Sequence, residues 1–189
     1  TDSQGRVIGF GGRSMDGKEP KYLNSPESPV FRKASTLYGL YSAKGPIGKE
    51  GFAIIVEGYF DLLSLRKAGF ANSVATMGTA LTLEHLRNIK RYANAAYVLF
   101  DNDEAGKKAA LRGLGLFMEE GMAAMAVVLP EGKDPDDFLK KRGPAGLKEA
   151  ISSAEPLMDF FLKELKKRFD VATPRGKTSY LEEALPYIA

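Results

Sequence analysis

Four unbroken apolar runs stand in the middle of the chain: FAIIVE at 52–57, SVATM at 73–77, AYVLF at 96–100 and MAVVL at 125–129. Apolar runs this short and without alternation read as strands buried on both faces. Between them, apolar positions recur at helical spacing over 60–68, 83–92 and 105–120. Strand and helix alternating at this rhythm predict βαβ units. The expected fold is α/β, a mainly parallel sheet flanked by helices.

The flanking regions differ. Residues 1–50 are rich in Gly, Ser, Pro and basic residues, with short apolar pieces RVIGF and TLYGLYSA. They predict brief strands and one short helix, a small mixed α+β segment. From 134 the pattern is helical. In DPDDFLKKRG, Asp134 reads as an N-cap, Pro135 as the first helical position and Gly143 as a stop. PLMDFFLKELKKRF has the three-and-four spacing of an amphipathic helix, and TPRGKTSYLEEALPYIA reads as a linker running into another. The expected division is 1–50, a basic nucleic-acid- or nucleotide-contacting part; 51–133, the sheet; and 134–189, a helical C-terminal segment.

Composition narrows the function. With 44% apolar residues in 189, there is material for a core. The absence of cysteine excludes disulfides and thiolate metal sites and fits a cytoplasmic location. No apolar run approaches the ~20 residues of a membrane span, and no signal-peptide pattern opens the chain, so no membrane partner is expected. The opening TDSQGRVIGFGGR has no methionine and reads as part of a longer polypeptide. A net charge of +3 permits a nucleic-acid partner without requiring one.

The acids fall at strand ends, where open parallel sheets bind ligands. FAIIVEGYFD ends its apolar run at Glu57, and the helix after Gly58 carries Asp61 in its first turn. YVLFDNDEAG surfaces at Asp101 and Asp103, and Asp134, Asp136 and Asp137 follow the last run. Each has a plainer role available: Asp61 as a first-turn acid, Asp103 and Asp134 as helix caps. Together they are costly. Two unit charges about 4 Å apart repel by roughly 4 kcal/mol at an effective dielectric of 20, so convergence of Glu57, Asp101 and Asp103 calls for a cation or a proton. An oxygen-only donor set suits Mg²⁺ or Mn²⁺, whose remaining ligands are commonly phosphate oxygens, and this points to phosphoryl or nucleotidyl transfer. Gly78 and Thr79 in MGTALT form a turn whose amides could face a phosphate. The lone histidine, His85, reads as a surface or capping residue.

Residues 1–50 supply Arg6, Arg13, Lys18, Lys21, Arg32, Lys33, Lys44 and Lys49, interleaved with Tyr22, Phe31, Tyr38 and Tyr41. That mixture suits phosphate contacts and base stacking, although a solvated face accounts for most of these residues. In PKYLNSPESPVFRK the prolines fix an extended path that presents Lys21, Asn24 and Lys33.

VEGYFD, MGTALT and FDNDEAG, in this order, resemble the Toprim domain of bacterial primases, topoisomerases and certain nucleases. With GRVIGFGGR, PKYLNSPESPVFRK, LYGLYSA and LPEGKDPDDFL, nearly the whole chain is similar to the RNA polymerase core of the bacterial replicative DNA primase family. The resemblance implies a Toprim, Rossmann-like sheet and RNA primer synthesis from ribonucleoside triphosphates on single-stranded DNA in replication. It implies that Glu57, Asp101 and Asp103 hold catalytic Mg²⁺ or Mn²⁺, that Asp61, Asp134 and Asp136 line the same acidic site, and that Arg13, Lys21, Asn24 and Lys33 contact nucleotide or template. In that chemistry the primer 3′-oxygen attacks the α-phosphate and pyrophosphate leaves; no protein general base stands out. The resemblance also places zinc in an amino-terminal module outside this chain, and the replicative helicase on a domain beyond its carboxyl end. The isolated chain is then expected to be a monomer with feeble or no primer synthesis. Three alternatives stay open: a Mg²⁺-dependent Toprim nuclease, a non-catalytic nucleotide- or alarmone-binding module, and a phosphatase-like enzyme with Asp101 as nucleophile. A topoisomerase would need a tyrosine in a separate domain.

Overall fold

Within residues 1–14, 22–99, 104–132 and 134–188, which the computed structural model describes, the chain begins as an antiparallel ribbon of β1 (Gly11–Arg13) and β2 (Tyr22–Asn24). The helix α1 (Leu40–Glu50) leads into an alternating stretch: β3 (Ala53–Val56), α2 (Tyr59–Lys67), β4 (Ser73–Ala75), α3 (Leu83–Lys90), β5 (Ala95–Val98), α4 (Glu104–Glu120) and β6 (Ala123–Ala126). After it come α5 (Pro135–Ser152), the two-residue β7 (Glu155–Pro156), α6 (Leu157–Arg168) and α7 (Pro174–Ile188).

The main sheet has the order β4-β3-β5-β6-β7, parallel except for β7. The chain steps from β3 outward to β4, then reverses past β3 to β5 and continues to β6. Right-handed crossovers send helices to opposite faces when the direction reverses. The packing follows. Ala53 and Ile55 of β3 join one core with α1, α3, α4, α6 and α7; Ile54 and Val56 join the other with α2 and α5. Every β3 side chain is at most 1% exposed, which is why this strand is one continuous apolar run. The reversal lies between β3 and β5, whose outgoing connections diverge and leave a crevice at the carboxyl ends.

Two details depart from the sequence pattern, at β6 and α7, and a third, at Gly143, follows it. β6 starts earlier than the MAVVL run, because Ala123–Ala126 pairs with Ala95–Val98 before the chain turns away; the Val127 amide still donates to the Val98 carbonyl at 3.0 Å. Gly143 does stop the helix that Asp134 caps, its φ of 65° and ψ of −176° being non-helical, and the rest of the α5 range is a second helix that starts at Pro144. α7 absorbs the expected linker: the Thr173 hydroxyl accepts from the Gly176 amide at 3.1 Å and Pro174 takes the first position.

Both margins of the sheet are met by added backbone. At the β4 side, the Tyr38 amide donates to the Ala75 carbonyl at 2.8 Å and the Ala75 amide returns a bond at 3.1 Å. Arg66 of α2 reinforces this join, donating through Nη2 to the carbonyls of Gly39 at 2.6 Å and Ser73 at 3.1 Å. At the other side, β7 pairs antiparallel with β6. Among the described residues, no helix is long and apolar enough to cross a membrane.

Candidate functional site

Glu57 leaves the tip of β3 directly into the crevice where the strand order reverses. Its neighbour β5 runs on in register: the Leu99 amide donates to the Ile55 carbonyl at 2.9 Å. Leu99, just past the end of β5, is therefore level with the last residues of β3 before Glu57. Asp101 and Asp103, with Lys21, lie outside the described residues. The Glu57 Oε1 atom is buried, and Glu57 lines a cavity of about 320 Å³ with Thr76, Gly78, Thr79 and Arg112 of α4. Met77 and Gly78 both take left-handed backbone, φ 63° and 74°, an unusual conformation for methionine. The turn carries the Gly78 amide to the Glu57 carbonyl, 3.4 Å away, and the Thr79 hydroxyl donates to the Thr76 carbonyl at 2.8 Å. So Gly78 and Thr79 do meet Glu57 at one cavity. Arg112 was not singled out from sequence; helical spacing along α4 from the Asp-x-Asp segment is the signal that could have found it.

The other acids sit where α2 packs on α5. The Asp61 carboxylate folds back toward Gly58, where a Cβ would lie 2.6 Å from Oδ2, and its Oδ1 accepts the Asp136 amide at 3.4 Å. Asp136 accepts from the Ser64 hydroxyl and pairs with Lys140 at 2.5 Å. Partial burial raises the Asp136 carboxyl, but the Lys140 and Ser64 hydrogen bonds and the Lys140 charge outweigh it and hold the group below the ordinary carboxylate range. Asp134 caps α5, accepting the Asp137 amide at 2.7 Å. Asp61 and Asp136 are thus brought together, while Asp134 is engaged as a cap. Among the described residues, no group of three or more acids or histidines gathers as metal ligands would.

The β1–β2 ribbon lies against the start of α2. The Arg13 guanidinium stands 4.7 Å from the Phe60 ring centre and 5.7 Å from that of Tyr22. The Tyr59 hydroxyl donates to Asn24 Oδ1, and the Tyr59 ring meets Tyr38 edge-on at 4.9 Å. Arg13, Asn24, Tyr38, Tyr59 and Phe60 line a second cavity, about 240 Å³, whose wall includes Met77. The strained turn therefore separates the Arg13 and Asn24 cavity from the Glu57 cavity.

Lys33 is fixed through its backbone. Its amide donates to Glu27 Oε1 at 3.0 Å, and its carbonyl lies 2.8 Å from His85 Nε2. A carbonyl only accepts, so Nε2 carries the proton. This corrects the expectation of a surface or capping histidine: the α3 cap is Thr82, and the His85 side chain is 0% exposed. Burial lowers its proton affinity, outweighing the raising effects of the Lys33 and Thr36 backbone and of Glu84. In the unfolded chain His85 titrates near pH 6.5, so acid protonates the unfolded state first. Stability is complete above about pH 6.5 and is lost as pH falls below it, by at most about 1.4 kcal/mol per pH unit. Thermal melts from pH 7.5 to 5.5 are expected to show this slope, and His85→Gln is expected to flatten it, there being one histidine to remove.

Comparison with known proteins assigns three parts of the chain. Residues 54–139 match the Toprim-like family model, 1–44 the N-terminal domain of the DNA primase catalytic core, and 158–189 the DnaB-helicase binding domain of primase. The last match lies inside the chain and not beyond its carboxyl end. The DNA primase of Aquifex aeolicus is 45% identical over 173 residues, 91% of this chain and 35% of that protein. A crystal structure of the zinc-binding and RNA polymerase domains of the Aquifex aeolicus primase is 42% identical, with a TM-score of 0.84 over 98% of this chain and 45% of that one. The DnaG primase catalytic domain bound to ssDNA is 37% identical, with a TM-score of 0.88 over 99% of this chain and 60% of that one. The chain spans about a third of the length of the curated relatives it matches. With a Toprim α/β sheet at its centre, the chain belongs to the bacterial DNA primase family.

Proposed function

We propose that this chain forms the nucleotidyl-transfer centre of an enzyme that makes RNA primers from ribonucleoside triphosphates on single-stranded DNA in replication. The observation that carries the reading is Glu57 at the β3 tip, lining one cavity with Gly78, Thr79 and Arg112, with β5 paired beside β3 and the Asp-x-Asp motif next in the sequence. The donor set of Glu57, Asp101 and Asp103 is oxygen-only and fits Mg²⁺ or Mn²⁺. When bound, such an ion would offset triphosphate charge and lower the pKa of the attacking hydroxyl. Gly78, Thr79 and Arg112 receive phosphate oxygens; Arg13, Lys21, Asn24 and Lys33 hold nucleotide or template. Asp61 and Asp136 brace the start of α5 against α2 and add negative potential near the rim.

The ssDNA-bound relative supports the template assignment, and the helicase-binding match supports α6 and α7 as part of a helicase contact. On α7, Leu181, Leu185 and Ile188 are exposed at helical spacing, as a partner face requires. The test is Mn²⁺ titration of this chain followed by electron paramagnetic resonance, with ribonucleotide cross-linking in parallel. Binding of both is expected, and Asp101→Asn is expected to abolish the metal signal and weaken the nucleotide. Undiminished Mn²⁺ binding in Asp101→Asn would overturn the assignment, and cleavage of labelled DNA would point to a nuclease.

A further inference from the structure

Tyr59 follows Gly58 at the first position of α2, two residues after Glu57, yet its hydroxyl reaches across to the ribbon. Its ring is held from two sides, by Tyr38 at 4.9 Å and Tyr22 at 6.3 Å between ring centres. Burial, and then the proximity of Tyr38, push its pKa above the ordinary tyrosine value, so the hydroxyl keeps its proton at neutral pH and donates. Space for it exists because residue 11 is glycine: a Cβ there would lie 2.6 Å from the hydroxyl and 3.1 Å from Asn24 Oδ1.

From this geometry we infer that Tyr59 is a positioning residue: its hydroxyl locks the Asn24 amide in one orientation and so presents Nδ2 as a hydrogen-bond donor to the nucleotide. An asparagine amide offers an acceptor oxygen at one end and two donor hydrogens at the other, and it can flip between them. Occupation of Oδ1 by the Tyr59 proton fixes the choice. The part left for a ligand is the NH₂, and the cavity shared by Asn24, Arg13 and Met77 is where it is available. A donor selects acceptor groups such as ribose oxygens, base carbonyls or phosphate oxygens. The clasp also sets the distance between the ribbon and the Glu57 rim, because Tyr59 belongs to the helix that starts at that rim.

The inference rests on the nucleotide-binding reading above, and the experiment separates the two. Side-chain amide resonances of ¹⁵N-labelled chain are compared among wild type, Tyr59→Phe and Gly11→Ala, and each is titrated with ATP and Mg²⁺. In wild type the two Asn24 NH₂ protons are expected to be well separated and slow to exchange with solvent. In Tyr59→Phe and Gly11→Ala they should move toward free-amide positions and exchange faster. The ATP dissociation constant should rise about three- to tenfold in Tyr59→Phe, the range one hydrogen bond supplies, with the melting temperature little changed. Asn24→Asp keeps an acceptor for Tyr59, removes the donor and adds a negative charge; it should weaken ATP at least as much as Tyr59→Phe, and the double variant no more than Asn24→Asp alone. Asn24 resonances indifferent to Tyr59→Phe, or additive losses in the double variant, overturn the clasp. A wild-type chain with a responsive Asn24 but no ATP binding overturns the nucleotide reading and leaves the lock standing as a purely structural device.

Discussion

Glu57→Gln is expected to remove Mn²⁺ binding from this chain and to slow nucleotidyl transfer by the polymerase core that contains it by roughly 10³-fold. The figure corresponds to about 4 kcal/mol of lost charge stabilisation at about 1.4 kcal/mol per tenfold, the range a metal-binding carboxylate controls. Glutamine has the same shape, and the buried β3 residues before it do not change. The fold should therefore survive with its melting temperature little changed, because glutamine keeps the volume and an acceptor oxygen of the partly buried carboxylate. The informative readout is the contrast. Calorimetry should find the variant folded while paramagnetic resonance finds no bound Mn²⁺. A variant that unfolds would make Glu57 a structural residue, and one that keeps Mn²⁺ would move the metal elsewhere.

Phe138→Ala is expected to have the largest effect on stability without touching a proposed ligand. Phe138 is 1% exposed and packs into the core between the sheet and helices α2 and α5. Truncating a buried phenylalanine costs about 3–5 kcal/mol, a large share of the roughly 5–15 kcal/mol that holds a domain folded. For a chain of this size that lowers the melting temperature by roughly 6–20 °C. The loss should also reach function. Phe138 lies one helical turn from Asp134 and anchors the α5 start, where the Asp136 amide meets Asp61. Chemical denaturation gives the stability change, and hydrogen exchange at the Asp136 and Asp137 amides gives the local loosening. Protection at those amides unchanged from wild type would mean that α2 alone holds this corner.

The parallel core was legible because strands buried on both faces leave unbroken apolar runs, and β3 is the clearest case. Helix positions followed from apolar spacing and from caps with a plain chemical signature, Asp134 above all. The losses have equally plain causes. β7 is two residues long, and Glu155–Pro156 carries no strand pattern; its pairing with β6 is decided by where α5 delivers the chain. The β6 residues are mostly alanine, so the bulkier Val127 to Leu129 drew the strand past its true end. Thr173 and Pro174 look like a linker until the Thr173 hydroxyl is seen to accept an amide. His85 was misread because a helix's first turn is usually wet, whereas here the Lys33 segment lies over it. At the candidate site, the strand-tip acid Glu57 was legible from the sequence alone. Tyr59 and Arg112 were not, since their partners come from distant parts of the chain.

A parallel sheet with bare margins is a template on which a second molecule can grow. Here Tyr38 occupies hydrogen-bonding groups at one border and β7 occupies them at the other. Strand addition by another copy meets a ladder already interrupted at both borders, so high concentration should not drive these sheets edge to edge into fibrils.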